Sequence, residues 1–239
     1  MADIQVQTPA GPIAAVLEAP SGRGPGVVIV HDAFGLSEDT RNIARRFADK
    51  GYVALAPDLY SRGGVRKCVT GVFRALLGQS GVAIDDLLAA RDFLAAHEKV
   101  TGKVGIVGFC MGGGFALLLS PKGFGASAPF YGITPKKVDE VLEGACPIVA
   151  SYGKNDPTLI GAGKKVEKVL SEKGIAHDIK TYPGASHGFA NALPSGPAGA
   201  FVRVTGMGWR GEQAEDAFGR VFDFFGEHLS EAPGPSVSL

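Results

Sequence analysis

The sequence predicts an α/β fold, a mainly parallel twisted sheet with helices on both faces, and three observations predict it. Short apolar runs alternate with amphipathic stretches along nearly the whole chain, the pattern of repeated strand–helix units. Residues 26–31 form an apolar run of the kind found in strands covered on both faces. Residues 103–119 read as a buried strand that turns abruptly into a helix through Gly108-Phe109-Cys110-Met111-Gly112. With 239 residues and a hydrophobic fraction of 45%, the chain fits one large domain, placed at residues 1–230. The proline- and serine-rich stretch 231–239 is expected to be a disordered tail.

The elements follow in order. Residues 4–7 and 13–18 are two short strands joined by Thr8-Pro9-Ala10-Gly11-Pro12, an expected hairpin at a sheet edge. After the strand at 26–31, Ser37 or Glu38 opens a helix through Phe47, with Ile43, Ala44 and Phe47 on one face. Residues 52–56 form the next strand, stopped by Pro57. Residues 58–80 read as a glycine- and arginine-rich connection with a short helix at 72–77. A helix at 82–97 carries Ile84, Leu87, Leu88, Arg91 and Leu94 at helical spacing. Strands are expected at 104–107, 126–131, 147–152 and 176–182, and helices at 110–119, 161–173 and 212–228. No helical insertion interrupts this alternation, so no separate cap domain is expected. The variable cover of a site would be residues 58–80 together with 191–211.

Composition excludes several partners. Lysine plus arginine equal aspartate plus glutamate at 24 each, which gives no electrostatic basis for binding nucleic acid or an anionic membrane. No basic segment followed by an apolar run opens the chain, and no apolar run approaches membrane-spanning length; a cytoplasmic protein is the expectation. Three cysteines do not make a disulfide framework, and neither Cys68 nor Cys146 lies near another metal-ligand type at zinc spacing. No metal site is expected.

The chemistry gathers around Cys110. Gly108 and Gly112 flank it at minus and plus two, the G-x-S-x-G nucleophile-elbow spacing with cysteine in place of serine. Such a turn strains its central residue and requires neighbours without a clashing Cβ. It holds the nucleophile clear of the strand end, beside the first free N–H groups of a helix, which favour a thiolate and later an oxyanion. In parallel sheets the chemistry lies beyond the carboxyl ends of the strands. Two further residues satisfy that rule, Asp156 after the strand at 147–152 and His187 after the strand at 176–182. A thiol needs a base, and the base needs a carboxylate to fix its tautomer. The order nucleophile, acid, histidine is the order of the α/β-hydrolase fold. His31 ends its strand beside this edge and reads either as a support to the site or as a structural histidine.

The segments His31-Asp32-Ala33-Phe34-Gly35-Leu36, Ala56-Pro57-Asp58-Leu59-Tyr60, Gly108-Phe109-Cys110-Met111-Gly112-Gly113, Phe130-Tyr131-Gly132 and Gly184-Ala185-Ser186-His187-Gly188-Phe189 together resemble the dienelactone hydrolase family. The likeness runs from about residue 3 to about residue 229, and the cysteine elbow is its most specific part. It implies an α/β-hydrolase fold and hydrolysis of small-molecule esters or lactones without a cofactor. By the same likeness Cys110 is the nucleophile, His187 the base, Asp156 the orienting carboxylate, and the Ala33 and Met111 N–H groups the oxyanion hole. Asp32 corresponds to a carboxylate that helps control the thiol; the best-known members carry glutamate there, and aspartate is one methylene shorter. Asp32 also reads as a cap of the segment after it. Tyr131 falls among expected substrate-contacting residues. Four residues after the histidine, the dienelactone enzymes carry an arginine that pairs with the substrate carboxylate; this chain has Asn191. Arg62, Arg66 and Arg74 are the candidates for a second such arginine. Without the bidentate clamp, binding of an anionic lactone weakens by about 1.5–3 kcal/mol, which argues against dienelactone itself as substrate.

Two other classes of function compete. A small-molecule binding module on the same fold would have no need of a base such as His187. A thiol redox protein would want a resolving cysteine, and no C-x-x-C is present.

Overall fold

A computed structural model describes residues 1–192 and 208–230. Eight strands form one sheet in the order β1-β2-β4-β3-β5-β6-β7-β8. They are β1 (Ala2–Val6), β2 (Ile13–Glu18), β3 (Gly24–Val30), β4 (Val53–Pro57), β5 (Val100–Phe109), β6 (Ser127–Phe130), β7 (Ile148–Gly153) and β8 (His177–Tyr182). β1 and β2 make the expected antiparallel hairpin at one edge, and β2 runs antiparallel to β4. From β4 to β8 every pairing is parallel. The helices are α1 (Glu38–Asp49), α2 (Gly64–Gly78), α3 (Val82–Ala95), α4 (Met111–Leu119), α5 (Val138–Val141), α6 (Ala162–Glu172) and α7 (Gly211–Leu229).

The central strands are apolar because both of their faces are covered. Val28 and Val30 join one core with Leu87, Leu94, Met111 and Phe115, while Val27 and Ile29 join the other with Phe47, Phe218 and Phe225. Period-two alternation therefore sends successive residues of one strand into two different cores. α1 begins at Ser37, whose hydroxyl accepts from the Thr40 N–H, and it buries Ile43, Ala44 and Phe47 as the spacing requires.

The connection 58–80 departs from its expectation. In place of a short helix at 72–77, α2 runs for 15 residues from Gly64. Three glycines and an N-terminus without a side-chain cap conceal it in the sequence. Tertiary packing supplies what propensity lacks. Val72, Ala75 and Leu76 are buried, and the Leu76 methyls sit about 3 Å from where a Cβ on Gly114 of α4 would stand. The short α5 is also absent from the sequence reading; it has a single turn and no capping signal. Of the second covering stretch, 191–211, residues 193–207 lie outside the described residues, as does the tail 231–239. Among the described residues no helix is long and apolar enough to cross a membrane.

Candidate active site

Cys110 stands between β5 and α4 with φ 55° and ψ −112°, a conformation that L residues rarely adopt. The flanking glycines make it reachable. A Cβ on Gly108 would lie 2.0 Å from the Gly112 carbonyl oxygen, and one on Gly112 would lie 2.2 Å from that of Val30. The Cys110 N–H donates to the Phe130 carbonyl (3.1 Å), and its own carbonyl accepts from the Gly114 N–H (3.1 Å), fastening the turn at both ends. Met111 is the first residue of α4, so its N–H has no partner within the helix.

Asp156 lies on the loop after β7 and is 1% exposed. Its Oδ1 accepts from the Thr158 N–H (2.9 Å) and hydroxyl (2.6 Å), which leaves Oδ2 for His187 Nδ1 at 2.6 Å. Burial opposes ionisation of Asp156, but the bonds from His187 and Thr158 outweigh it and hold the carboxyl below its usual range. For His187, burial disfavours the charged ring. The hydrogen bond to Asp156, helped by the nearby Cys110 thiol, prevails, so its pKa is raised. With Nδ1 on Asp156, Nε2 is the nitrogen left for sulfur. The structure thus brings together the three side chains that the sequence placed after separate strands. Thr158 is absent from the sequence expectations, although the Asp-Pro-Thr order carries a signal: an aspartate whose side chain accepts from the N–H two residues on.

The loop after β3 carries Asp32 and Ala33 to the same edge. Asp32 Oδ1 accepts from the Phe34 N–H (2.8 Å), the local cap that the sequence allowed. Burial, with a smaller contribution from Asp39, raises its pKa from 3.8 to about 6. The sign of the resulting pH dependence follows. The folded state holds this proton more tightly than the unfolded chain, so Asp32 costs nothing below about pH 3.8 and its full penalty is present above about pH 6. Asp32→Asn is therefore expected to raise stability by about 2–3 kcal/mol at pH 8 and to leave it nearly unchanged at pH 4. Urea unfolding at the two pH values checks this; an equal gain at both would refute it.

Tyr131 and Asn191 are present at the site but face each other. Tyr131 is fully buried with φ 37°, and its ring lies 5.2 Å from that of His187. Its hydroxyl donates to Asn191 Oδ1, and Asn191 Nδ2 donates to Asp39 Oδ2 at 2.7 Å. Asn191 is 6% exposed and ties the His187 loop to β6 and α1. Asp39 is marked in the sequence only as an acid in the first turn of α1. Arg62 is engaged by both oxygens of Asp86 at 2.7 and 2.8 Å. Arg66 is exposed on the first turn of α2, and Arg74, further along that helix, lines depressions that include neither Cys110 nor His187.

A cleft of about 540 Å³ opens on Cys110 and His187, walled by Ile133, Pro135, Leu159 and Ile160. A larger cavity of about 700 Å³, bordered by Ile43, Arg46, Trp209 and Phe218, contains neither residue. The larger cavity holds neither the Cys110 thiol nor the His187 imidazole; the smaller one holds both. Among the described residues no group of His, Cys, Asp and Glu side chains could hold a metal ion. Cys68 and Cys146 are unpaired, and burial pushes the Cys146 thiol up to about 12.

Residues 13–229 match the model of the dienelactone hydrolase family. The carboxymethylenebutenolidase of Rhodococcus opacus is 28% identical over 230 residues, aligning 88% of this chain with 84% of that protein. That of Pseudomonas putida is 28% identical over 185 residues, covering 72% of this chain and 78% of the relative. The crystal structure of the dienelactone hydrolase from Anabaena variabilis superposes with a TM-score of 0.70 at 19% identity, over 95% of this chain and 97% of that one. At that identity the superposition speaks for the fold. The family match extends across the strands, the elbow and the histidine loop alike: the chain belongs to the dienelactone hydrolase family and is an ester or lactone hydrolase.

Proposed function

We propose that the chain hydrolyses carboxylic esters or lactones by acyl transfer through Cys110, His187 and Asp156. The observation that carries this reading is the position of His187, whose Nδ1 is 2.6 Å from Asp156 Oδ2 while its ring lines the same cleft as Cys110. In the first half-reaction His187 Nε2 takes the thiol proton and sulfur attacks the carbonyl carbon. The resulting oxyanion lies between the Met111 and Ala33 N–H groups. The intermediate collapses to a thioester, and the leaving alkoxide takes the proton from His187. In the second, His187 removes a proton from water, the hydroxide attacks the thioester, and Cys110 leaves with the proton returned by His187. Asp156 keeps the imidazole in the Nδ1–H tautomer and stabilises the imidazolium. Asp32, buried beside His187, adds a negative charge near the transferred proton.

The substrate's body would lie in the cleft walled by Ile133, Pro135, Leu159 and Ile160. Asn191 is a neutral amide and offers it no charge, and both ends of that amide are already hydrogen-bonded. A carboxylate on the substrate is therefore not required. No cofactor enters the scheme.

Rapid quenching during turnover of an activated aryl ester tests the reading. Intact-mass and peptide analysis should find the acyl group on Cys110 and on neither Cys68 nor Cys146. An acyl group on another residue, or steady turnover with no adduct and no burst of aryl alcohol, would overturn it.

A further inference from the structure

We propose that His31, which the reaction scheme leaves unused, sets the peptide plane that aims the Ala33 N–H at the oxyanion. The inference rests on the acyl-transfer reading above and adds a positioning residue to it. His31 follows β3 directly and is 1% exposed. Both of its ring nitrogens are engaged. Nδ1 lies 2.6 Å from the Asp32 carbonyl oxygen, and Nε2 lies 3.2 Å from the Leu59 backbone nitrogen. A carbonyl oxygen can only accept and an N–H can only donate, so the ring is neutral with its proton on Nδ1. Asp58 Oδ1 stands 3.9 Å from Nε2, a distance that would suit a charged ring. That oxygen already accepts the Tyr60 N–H at 2.9 Å, and the Leu59 N–H is the nearer group to Nε2. Burial acts in the same direction, keeping the ring uncharged.

The carbonyl that His31 holds belongs to the same peptide unit as the Ala33 N–H. That unit is planar and trans, since the described chain contains no cis peptide. Its C=O and N–H therefore point in opposite directions, and fixing one fixes the other. The neighbouring donors are occupied: the Phe34 N–H bonds the Asp32 carboxylate, and the Gly35 N–H bonds the Asp32 carbonyl at 3.2 Å. Among the described residues no acceptor is bonded to the Ala33 N–H, which is the condition of a donor kept for an incoming oxygen. The end of β3 is pressed on the first turn of α4, where a Cβ on Gly112 would lie 2.7 Å from the His31 carbonyl oxygen. The loop thus stands beside the Met111 N–H, the second donor. Without the His31 bond only the longer Gly35 N–H bond would hold this carbonyl, leaving the peptide freer to rotate and to replace a donor by a carbonyl oxygen that repels the developing charge. Tyr60, its ring 4.9 Å from His31, buttresses the imidazole from the side.

Two reactions at one sulfur separate this role from a merely structural one. Acylation by p-nitrophenyl acetate forms an oxyanion, whereas alkylation by iodoacetamide does not. In His31→Phe, acylation should fall about 100-fold, the effect of losing one oxyanion donor, while Cys110 alkylation stays within about threefold of the parent. His31→Gln has both a donor and an acceptor at its tip, and should recover at least about tenfold of the loss. Equal losses in the two reactions, or undiminished acylation in His31→Phe, would overturn the proposal. Should the phenylalanine variant not fold, ¹⁵N NMR of the unaltered protein decides. The His31 ring should be the neutral Nδ1–H tautomer from pH 5.5 to 8.5, and an Nε2–H or charged ring would refute the assignment. If the unaltered protein shows no Cys110-dependent turnover at all, it is the acyl-transfer reading that fails, and the oxyanion role of His31 falls with it; a loss confined to His31→Phe acylation bears on His31 alone.

Discussion

Cys110→Ala is expected to lower turnover of an activated ester at least about 10⁴-fold, to the level of the uncatalysed reaction plus residual help from binding and the oxyanion donors. No other thiol stands ready to substitute. Burial raises the Cys146 thiol to about 12, and Cys68 lies on α2 with its sulfur 3.6 Å from the Tyr60 carbonyl oxygen. The fold should be untouched, because an alanine at the elbow keeps the same backbone and removes only a sulfur that is partly exposed. Steady-state hydrolysis of p-nitrophenyl acetate, with circular dichroism to confirm folding, checks the prediction. Retention of more than about one per cent of the activity would remove Cys110 from the nucleophile's role.

Asp156→Asn is expected to lower kcat about 10³–10⁴-fold with little change in KM. The amide keeps the volume, but the Thr158 N–H and hydroxyl both donate to one of its two positions, so the oxygen goes there. The NH₂ group is then turned toward His187 Nδ1, where it can only donate. The imidazole must accept on Nδ1 and carry its proton on Nε2, the tautomer that cannot take the thiol proton. The loss of the negative charge also removes the main support of the raised His187 pKa. Alkylation of Cys110 by iodoacetamide at pH 7 should slow in the same variant, and its pH profile should lose the dependence on His187. If Asp156→Asn retained full activity, the carboxylate would be structural only.

Much of this was legible because the signals are local. The elbow glycines announce themselves: Gly108 and Gly112 are required by backbone oxygens that would otherwise be struck, and spacing alone reveals such a turn. Asp156 follows a strand that an apolar run marks, His187 follows the more polar last strand of the strand–helix alternation, and parallel topology carries both strand ends to one edge. What stayed hidden depends on tertiary pairing. α2 is held by the contact of Leu76 with a glycine of α4, and no property of residues 64–78 alone reports that contact. Asn191 was read by its missing charge; its partners, Tyr131 and Asp39, are 60 and 152 residues away in the chain. His31 was placed beside the site, but the sequence could not say which atom each ring nitrogen meets.

The Asp39–Asn191–Tyr131 tie bears on attempts to retarget the enzyme. Grafting a guanidinium at position 191 to recruit anionic lactones would deliver that cation to a carboxylate already waiting 2.7 Å from the present amide. Asp39 would capture it inward, and the phenol of Tyr131 would lose its acceptor in a dry interior. Respecifying this pocket for acids calls for rebuilding three positions at once, on three separate segments of the backbone.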